Sequence, residues 1–333
     1  MFPATLTDLW TLTATNIKTE AVRLALDSAL FDQLAKPSTV EQFALCQHWE
    51  PQQAATLLEL LWSMKLLTRD AAGYQTSAEM QPYLCQTGER YIGDSWCFRH
   101  QSLRDVGQQL AALMQQKPGT PPPAARMDAG WAQAAQKQIA QEQRALTVDR
   151  ACDIVGALPE FPQAKTLLDV GGGPGMIAIG LTQRHPTLQG VVFDLPQTVA
   201  VAQENIIAAG LHPRLSTASG DFSAQPFATG YADIIWCSSF LHFVEDITTS
   251  LTQLFNALTP GGVLVAVHAE IASNQEDAAS VLPFYLPLML RGRRVTREGE
   301  LASSLCDAGF SRVETRRHQP FPMSPLTVLI ARK

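Results

Sequence analysis

The chain has no cysteine pair close in sequence, no paired-histidine motif, no long apolar run and few charges, and each shortage removes a class of function. Its six cysteines (46, 85, 97, 152, 237 and 306) stand far apart with no C-x-x-C, in apolar contexts that suit reduced thiols in a cytoplasm. The seven histidines form no H-E-x-x-H and no other metal spacing, so no metal is expected. The densest apolar stretch, Val281 to Leu290, is ten residues interrupted by Pro283 and Pro287, about half of what a bilayer-spanning helix needs. The first residues lack the basic-then-apolar order of an export signal. A cytoplasmic protein without membrane association is the expectation.

Charged residues make up 17% of the 333, below the roughly 25% usual for soluble proteins, which leaves uncharged surface for a second copy of the chain. The net charge of −6 provides no general field for a polyanion, so no nucleic acid is expected as a partner. Charge is also uneven. Residues 151–290 carry 3 basic against 12 acidic side chains and residues 291–333 carry 9 against 4, so an acidic middle and a basic tail would complement each other at a shared surface or line a site.

What is present begins with helices. Apolar residues from Ala21 to Leu30 recur at helical spacing, which predicts a helix over 19–34 ended by Lys36-Pro37-Ser38. A second helix starts near Ser38 and a third at Pro51, followed by Leu66 to Arg69 as a strand and Asp70 to Tyr74 as a turn. This is a winged-helix pattern. The stretch from Glu50 to Leu67 has a single basic residue, Lys65, which favours dimer packing over reading of a DNA groove. Helices over 91–117 and 131–157 flank a Pro-rich linker at 117–123. From Lys165 onward short β runs (165–170, 189–194, 213–218, 232–237, 262–268, 311–316, 326–331) alternate with helical stretches, the mark of a doubly wound α/β sheet.

The most specific signal is the strand Thr166 to Val170 running into Gly171-Gly172-Gly173-Pro174-Gly175 and a helix from Met176. Glycines allow positive φ and close approach of a ligand, and the helix start offers free N–H groups. A dinucleotide fingerprint requires glycine at 176, where methionine stands. The run reads D-x-G-x-G-x-G, with Asp169 two residues ahead of Gly171. An acid there suits the ammonium and sulfonium of S-adenosylmethionine and would repel a pyrophosphate. Asp194, followed by Leu195 at the end of the second β run, is placed to accept ribose hydroxyls or to cap the next helix. Asp221 and Phe222, after the third run, are placed for the adenine amine and ring.

These motifs, with GVVFDLP, LHF-x-ED and LTPGG, resemble those of small-molecule O-methyltransferases that use S-adenosylmethionine, the plant and bacterial class with an N-terminal winged-helix dimerisation domain. The resemblance spans nearly the whole chain. It implies a class I, Rossmann-like methyltransferase domain with a seven-stranded sheet, a homodimer, and a substrate site between domains. The expected division is a dimerisation domain at 1–90, a helical connector contributing to the acceptor pocket at 91–157, and a cofactor domain at 158–333. Asp169, Gly171, Gly173, Gly175, Asp194, Leu195, Asp221, Phe222 and Ser238 match cofactor positions, and His242 matches the general base. Trp96, Phe284, Met289 and Arg294 fall where the acceptor pocket is lined, the guanidinium of Arg294 being suited to an acceptor carboxylate.

The sequence departs from that class where it matters chemically. The Asp-Trp that usually follows the histidine is Phe243-Val244, and the two acids that orient it fall on His268 and Arg294, with Glu270 two residues beyond His268. O-Methylation of a small aromatic or polyketide-like metabolite, releasing S-adenosylhomocysteine, is therefore the first reading. C-methylation or non-methylating chemistry on the same fold is the alternative, and a winged-helix regulator is a third.

Overall fold

The computed structural model describes residues 6–115, 124–222, 224 and 226–333. The chain divides into two compact units, Met1–Arg104 and Asp105–Lys333, and the boundary falls inside the helix Gly93–Gln115.

In the first unit, helices Leu6–Asp27, Leu30–Gln33, Val40–Gln47 and Pro51–Ser63 precede a hairpin of β1 (Leu67–Asp70) and β2 (Gly73–Thr76). The helix expected over 19–34 starts earlier and is broken: Ala29 takes φ 52°, and a separate short helix follows it. Thr39 starts the third helix through a reciprocal capping box with Gln42, which satisfies two otherwise orphaned amides. Asp70 accepts from the Ala72 amide (2.8 Å) to form the hairpin turn. Ala25, Leu30, Phe31, Leu34, Leu58 and Leu61 are fully buried and form this unit's core. Burying such side chains contributes roughly 1.5–3 kcal/mol each before chain entropy is counted.

In the second unit, a long helical stretch over 124–156 contains two π-helical segments, Ala135–Ile139 and Gln143–Thr147. It leads into a sheet whose strands match every β run expected from Lys165 onward: β3 (Thr166–Val170), β4 (Gln189–Asp194), β5 (Leu215–Ser219), β6 (Ala232–Ser238), β7 (Leu258–His268), β10 (Arg312–Gln319) and β11 (Leu326–Arg332). Their spatial order is β10-β11-β7-β6-β3-β4-β5. β3 pairs in parallel with both β4 and β6, whereas β11 runs antiparallel to β7 and β10. The chain therefore reverses its winding at β3, and the crevice at the C-terminal ends of these strands is where open α/β sheets hold ligands.

The sheet is buried on both faces, which is why β7 reads as continuous apolar residues from Val263 to Val267 and not as an alternation. A short parallel pair, β8 (Glu270–Ile271) with β9 (Thr296–Arg297), holds the segment after the helix Gln275–Leu290 near the end of β7. That helix runs through Pro283 and Pro287. All six cysteines are free thiols. Among the described residues, no helix is long and apolar enough to cross a membrane.

Candidate active site

β3 delivers the chain into the glycine loop, where Gly171, Gly173 and Gly175 take φ of 67°, 57° and 74°, a region costly for any residue with a Cβ. The loop is held from β4: the Gly171 amide donates to the Phe193 carbonyl (2.8 Å) and the Gly173 amide to Asp194 Oδ2 (2.8 Å). Space differs along it. A Cβ on Gly172 would lie 2.7 Å from Val192 Cγ1 and 2.9 Å from the Asp169 carboxyl, whereas at Gly173 the nearest atom is 3.8 Å away, on Ile139. Gly172 is glycine for packing, and Gly173 borders open space.

Asp169 lies beneath this loop and is 1% exposed. Burial pushes its carboxyl up to about 7, against a bond from the Ala178 amide and with Asp194 adding repulsion. Its Oδ2 has no hydrogen-bond partner. The structure thus places the acid under the loop and the start of the helix Met176–Arg184.

Asp194 is half-buried at the end of β4. Its Oδ1 accepts from the Leu195 amide (2.7 Å) and its Oδ2 from Gly173, and burial raises its pKa despite both amides. A carboxylate has about four acceptor sites, so two amides leave room for hydroxyl donors. Asp194 does not cap the next helix. Asp128, buried on the long helical stretch, does so by accepting from the amides of Gln197 (3.1 and 3.0 Å) and Thr198 (3.3 Å). No local pattern marks a capping residue that lies 69 positions upstream.

At the ends of β5 and β6 the expected residues differ in exposure. Asp221 is exposed. Phe222 is 4% exposed and packs edge-on against Phe193 (6.1 Å) and Phe240 (5.7 Å), so its ring belongs to the hydrophobic core on this side of the sheet. Ser238 Oγ accepts from Trp236 Nε1 (3.0 Å), and Ser239 turns the chain at φ 50°.

His242 is 4% exposed beyond that turn. Its Nδ1 lies 3.3 Å from the Arg294 carbonyl; a carbonyl only accepts, so Nδ1 carries the proton and Nε2 presents its lone pair. Nε2 is buried without a partner. Burial pushes the imidazole down to about 4, with the Arg294 bond opposing. Edge-on rings of His268 and Tyr285 stand 5.4 Å away, and Phe243 next to it meets Trp131 (4.9 Å). Glu270, suggested as a carboxylate partner, instead accepts from the Leu301 amide (3.4 Å). Orientation of His242 comes from the main chain of the residue that replaces an acid.

Of the four expected pocket residues, Phe284, Met289 and Arg294 lie in the second unit and Trp96 in the first. Phe284 and Met289, on the helix Gln275–Leu290, are half-buried against the core. The Arg294 guanidinium is 62% exposed and paired with Glu300. Its neighbour Arg293 turns inward, donating to the Phe243 carbonyl (3.0 Å) and lying 5.5 Å over the Phe243 ring. Trp96 belongs to the first unit, where it stacks on His100 (5.2 Å).

Comparison with known proteins bears on this site. The family model for the O-methyltransferase domain matches residues 103–311. The chain is 27% identical over 336 residues to 3-hydroxy-5-methyl-1-naphthoate 3-O-methyltransferase of Streptomyces sahachiroi, covering 95% of this chain and 91% of that one. It is 26% identical to the tetracenomycin polyketide synthesis 8-O-methyl transferase TcmO of Streptomyces glaucescens, covering 98% and 96%. Among solved structures, an O-methyltransferase family protein from Burkholderia thailandensis superposes with a TM-score of 0.77 at 23% identity, covering 99% of this chain and 98% of that chain. Human N-acetylserotonin methyltransferase in complex with SAM gives 0.76 at 19%, covering 100% and 99%.

Proposed function

This chain belongs to the O-methyltransferase domain family, whose members take a methyl group from S-adenosylmethionine, and from that premise we propose that it methylates a hydroxyl of a small aromatic or polyketide-type metabolite with His242 as general base. The carrying observation is the buried, partnerless Nε2 of His242, held in its proton-accepting tautomer one turn beyond the strand that pairs with β3.

The residues present fit the cofactor. Open space at Gly173, the remaining acceptor sites on Asp194, and the start of the helix Met176–Arg184 form a cradle for a nucleoside with a charged tail. Asp194 with Leu195 would hold the ribose, Asp221 beside the buried Phe222 the adenine, Gly171, Gly173 and Gly175 the backbone contacts, and Asp169 the field under the tail. When bound, S-adenosylmethionine supplies an electrophilic methyl on a sulfonium. The protein's part is positioning, exclusion of water from a buried site, and removal of the acceptor's proton at Nε2.

The test is transfer of labelled methyl from S-adenosylmethionine into a panel of catechols, phenolic acids, quinols and hydroxylated polyketides, with calorimetry of cofactor binding alongside. Transfer in the wild type and its loss by about 100-fold or more in His242→Ala, within the range for general-base catalysis, is the expected result. Full turnover by His242→Ala would remove the base assignment and leave the enzyme class standing. Homodimerisation through the first unit and residence in the cytoplasm complete the proposal. Support for the dimer comes from the exposed apolar side chains of Leu6, Leu9, Trp10, Leu12 and Ile17 on one helix.

A further inference from the structure

Against His242 lies a cavity of about 50 Å³, bordered also by His268, Thr296, Glu245 and Arg294. His242 Nε2, His268 Nδ1 and Thr296 Oγ1 are all buried without hydrogen-bond partners. This is where a base would need a carboxylate to hold its imidazolium, and among the described residues no carboxylate is hydrogen-bonded to it. Glu245, on the same loop, is exposed, and its charge acts on Arg293. Cys237 at the end of β6 is a buried thiol 3.8 Å from His268 Nε2, and burial keeps His268 itself neutral. The helix Gln275–Leu290 contributes Tyr285. Beyond it, Arg294 turns its guanidinium to Glu300 while Arg293 lies over Phe243. Glu270 is bound to the Leu301 amide. Among the described residues, the hydrogen bond of His242 runs to a backbone carbonyl alone.

Resting on the methyltransferase reading above, we propose that the acceptor is an acidic hydroxyl of the enol or hydroxyquinone class, and that ordinary phenols are poor acceptors. As the acceptor oxygen's lone pair forms the O–CH3 bond, the hydroxyl proton, where the acceptor has not already given it to solvent, passes to Nε2 of His242. The S–CH3 bond of the cofactor breaks with its electron pair remaining on sulfur, and the imidazolium later returns the proton to solvent. That imidazolium forms 5.4 Å from the His268 ring, which burial keeps neutral, with no carboxylate bonded to it, so only a proton already weakly held is transferred readily. With burial holding His242 below its ordinary range, an ordinary phenol with a pKa of about 10 passes its proton uphill, and a more acidic acceptor lessens that difference.

The test compares methyl transfer at pH 7 to 2-hydroxy-1,4-naphthoquinone, an acidic enol, and to 2-naphthol, an ordinary phenol of similar size. It is combined with a nitrogen-15 histidine titration of the whole protein, the His242 signal being assigned with His242→Gln. The expected results are at least 100-fold faster transfer to the quinone and a His242 that stays neutral below pH 5. His268→Glu, which places a carboxylate beside the base, should raise the His242 titration and narrow the ratio about tenfold or more. Comparable rates on the two acceptors, or a wild-type His242 titrating at its ordinary value, overturn the proposal. S-adenosylmethionine binding with no transfer to the quinone overturns it as well. Failure of the methyltransferase reading shows separately, as absence of S-adenosylmethionine binding by calorimetry.

Discussion

Asp169 and His242 act on stability in opposite directions as pH changes. Asp169 has its folded pKa raised, from 3.8 to about 7, so the folded state holds the proton more tightly than the unfolded chain. Its stabilisation is present in acid and is lost as pH rises through that interval, by about 4 kcal/mol at most. His242 has its folded pKa lowered, from 6.5 to about 4, so stability is present above 6.5 and is lost as pH falls through 4, by about 3 kcal/mol; His268 acts in the same direction. Urea unfolding should therefore show Asp169→Asn gaining a steeper rise of stability with pH between 4 and 6.5, and His242→Gln a shallower one. Slopes changing the other way would remove the burial argument for both groups. At this scale the sequence reveals the identities but not the environments. That Asp169 would lie beneath its loop, and that a carbonyl 52 residues away would orient His242, depends on tertiary packing alone.

At the scale of elements, the β runs after Lys165 were legible because apolar stretches and glycine turns mark strands locally, and the glycine loop because its backbone admits few other residues. Helix limits were less so. Nothing in the sequence flags the left-handed Ala29 that breaks the first helix, nor the π segments on either side of Ala140–Glu142, since both depend on neighbours distant in sequence. The glycine loop and the helix Pro196–Ala208 then separate packing from binding. Gly172→Ala should destabilise the fold by about 1–3 kcal/mol, because its Cβ meets Val192 and Asp169. Gly173→Ala should cost only about 1 kcal/mol of stability, from its positive φ, yet weaken S-adenosylmethionine binding tenfold or more by filling the open space. Chemical denaturation and calorimetry on the two variants distinguish these effects; equal losses of binding would mean that Gly173 does not face the ligand. Asp128→Ala should cost about 1–2 kcal/mol by uncapping the helix Pro196–Ala208, with no direct effect on transfer chemistry.

For the molecule as a whole, the uneven charge proves to be settled mostly within the tail. Arg294 pairs with Glu300, Arg316 with Glu314 and Arg317 with Glu298, while Arg332 reaches Glu160 in the acidic middle. The three pairs within the tail are largely exposed and contribute at most about 1 kcal/mol each. The uncharged surface is the stronger signal. In the helix Leu6–Asp27 the buried residues (Ala21, Val22, Ala25, Leu26) all lie toward its C-terminal end, and Leu6, Leu9, Trp10 and Leu12 are each more than half exposed. The exposed stretch from Leu6 to Ile17 is short enough for a helix to be marginal in water without packing, and a second copy offers the same apolar surface. Sedimentation at micromolar concentration should give a dimer, and Leu9→Asp with Trp10→Asp should give a folded monomer with an unchanged near-ultraviolet spectrum of its second unit. A wild type that sediments as a monomer at every concentration would leave that helix without a partner and end the homodimer proposal.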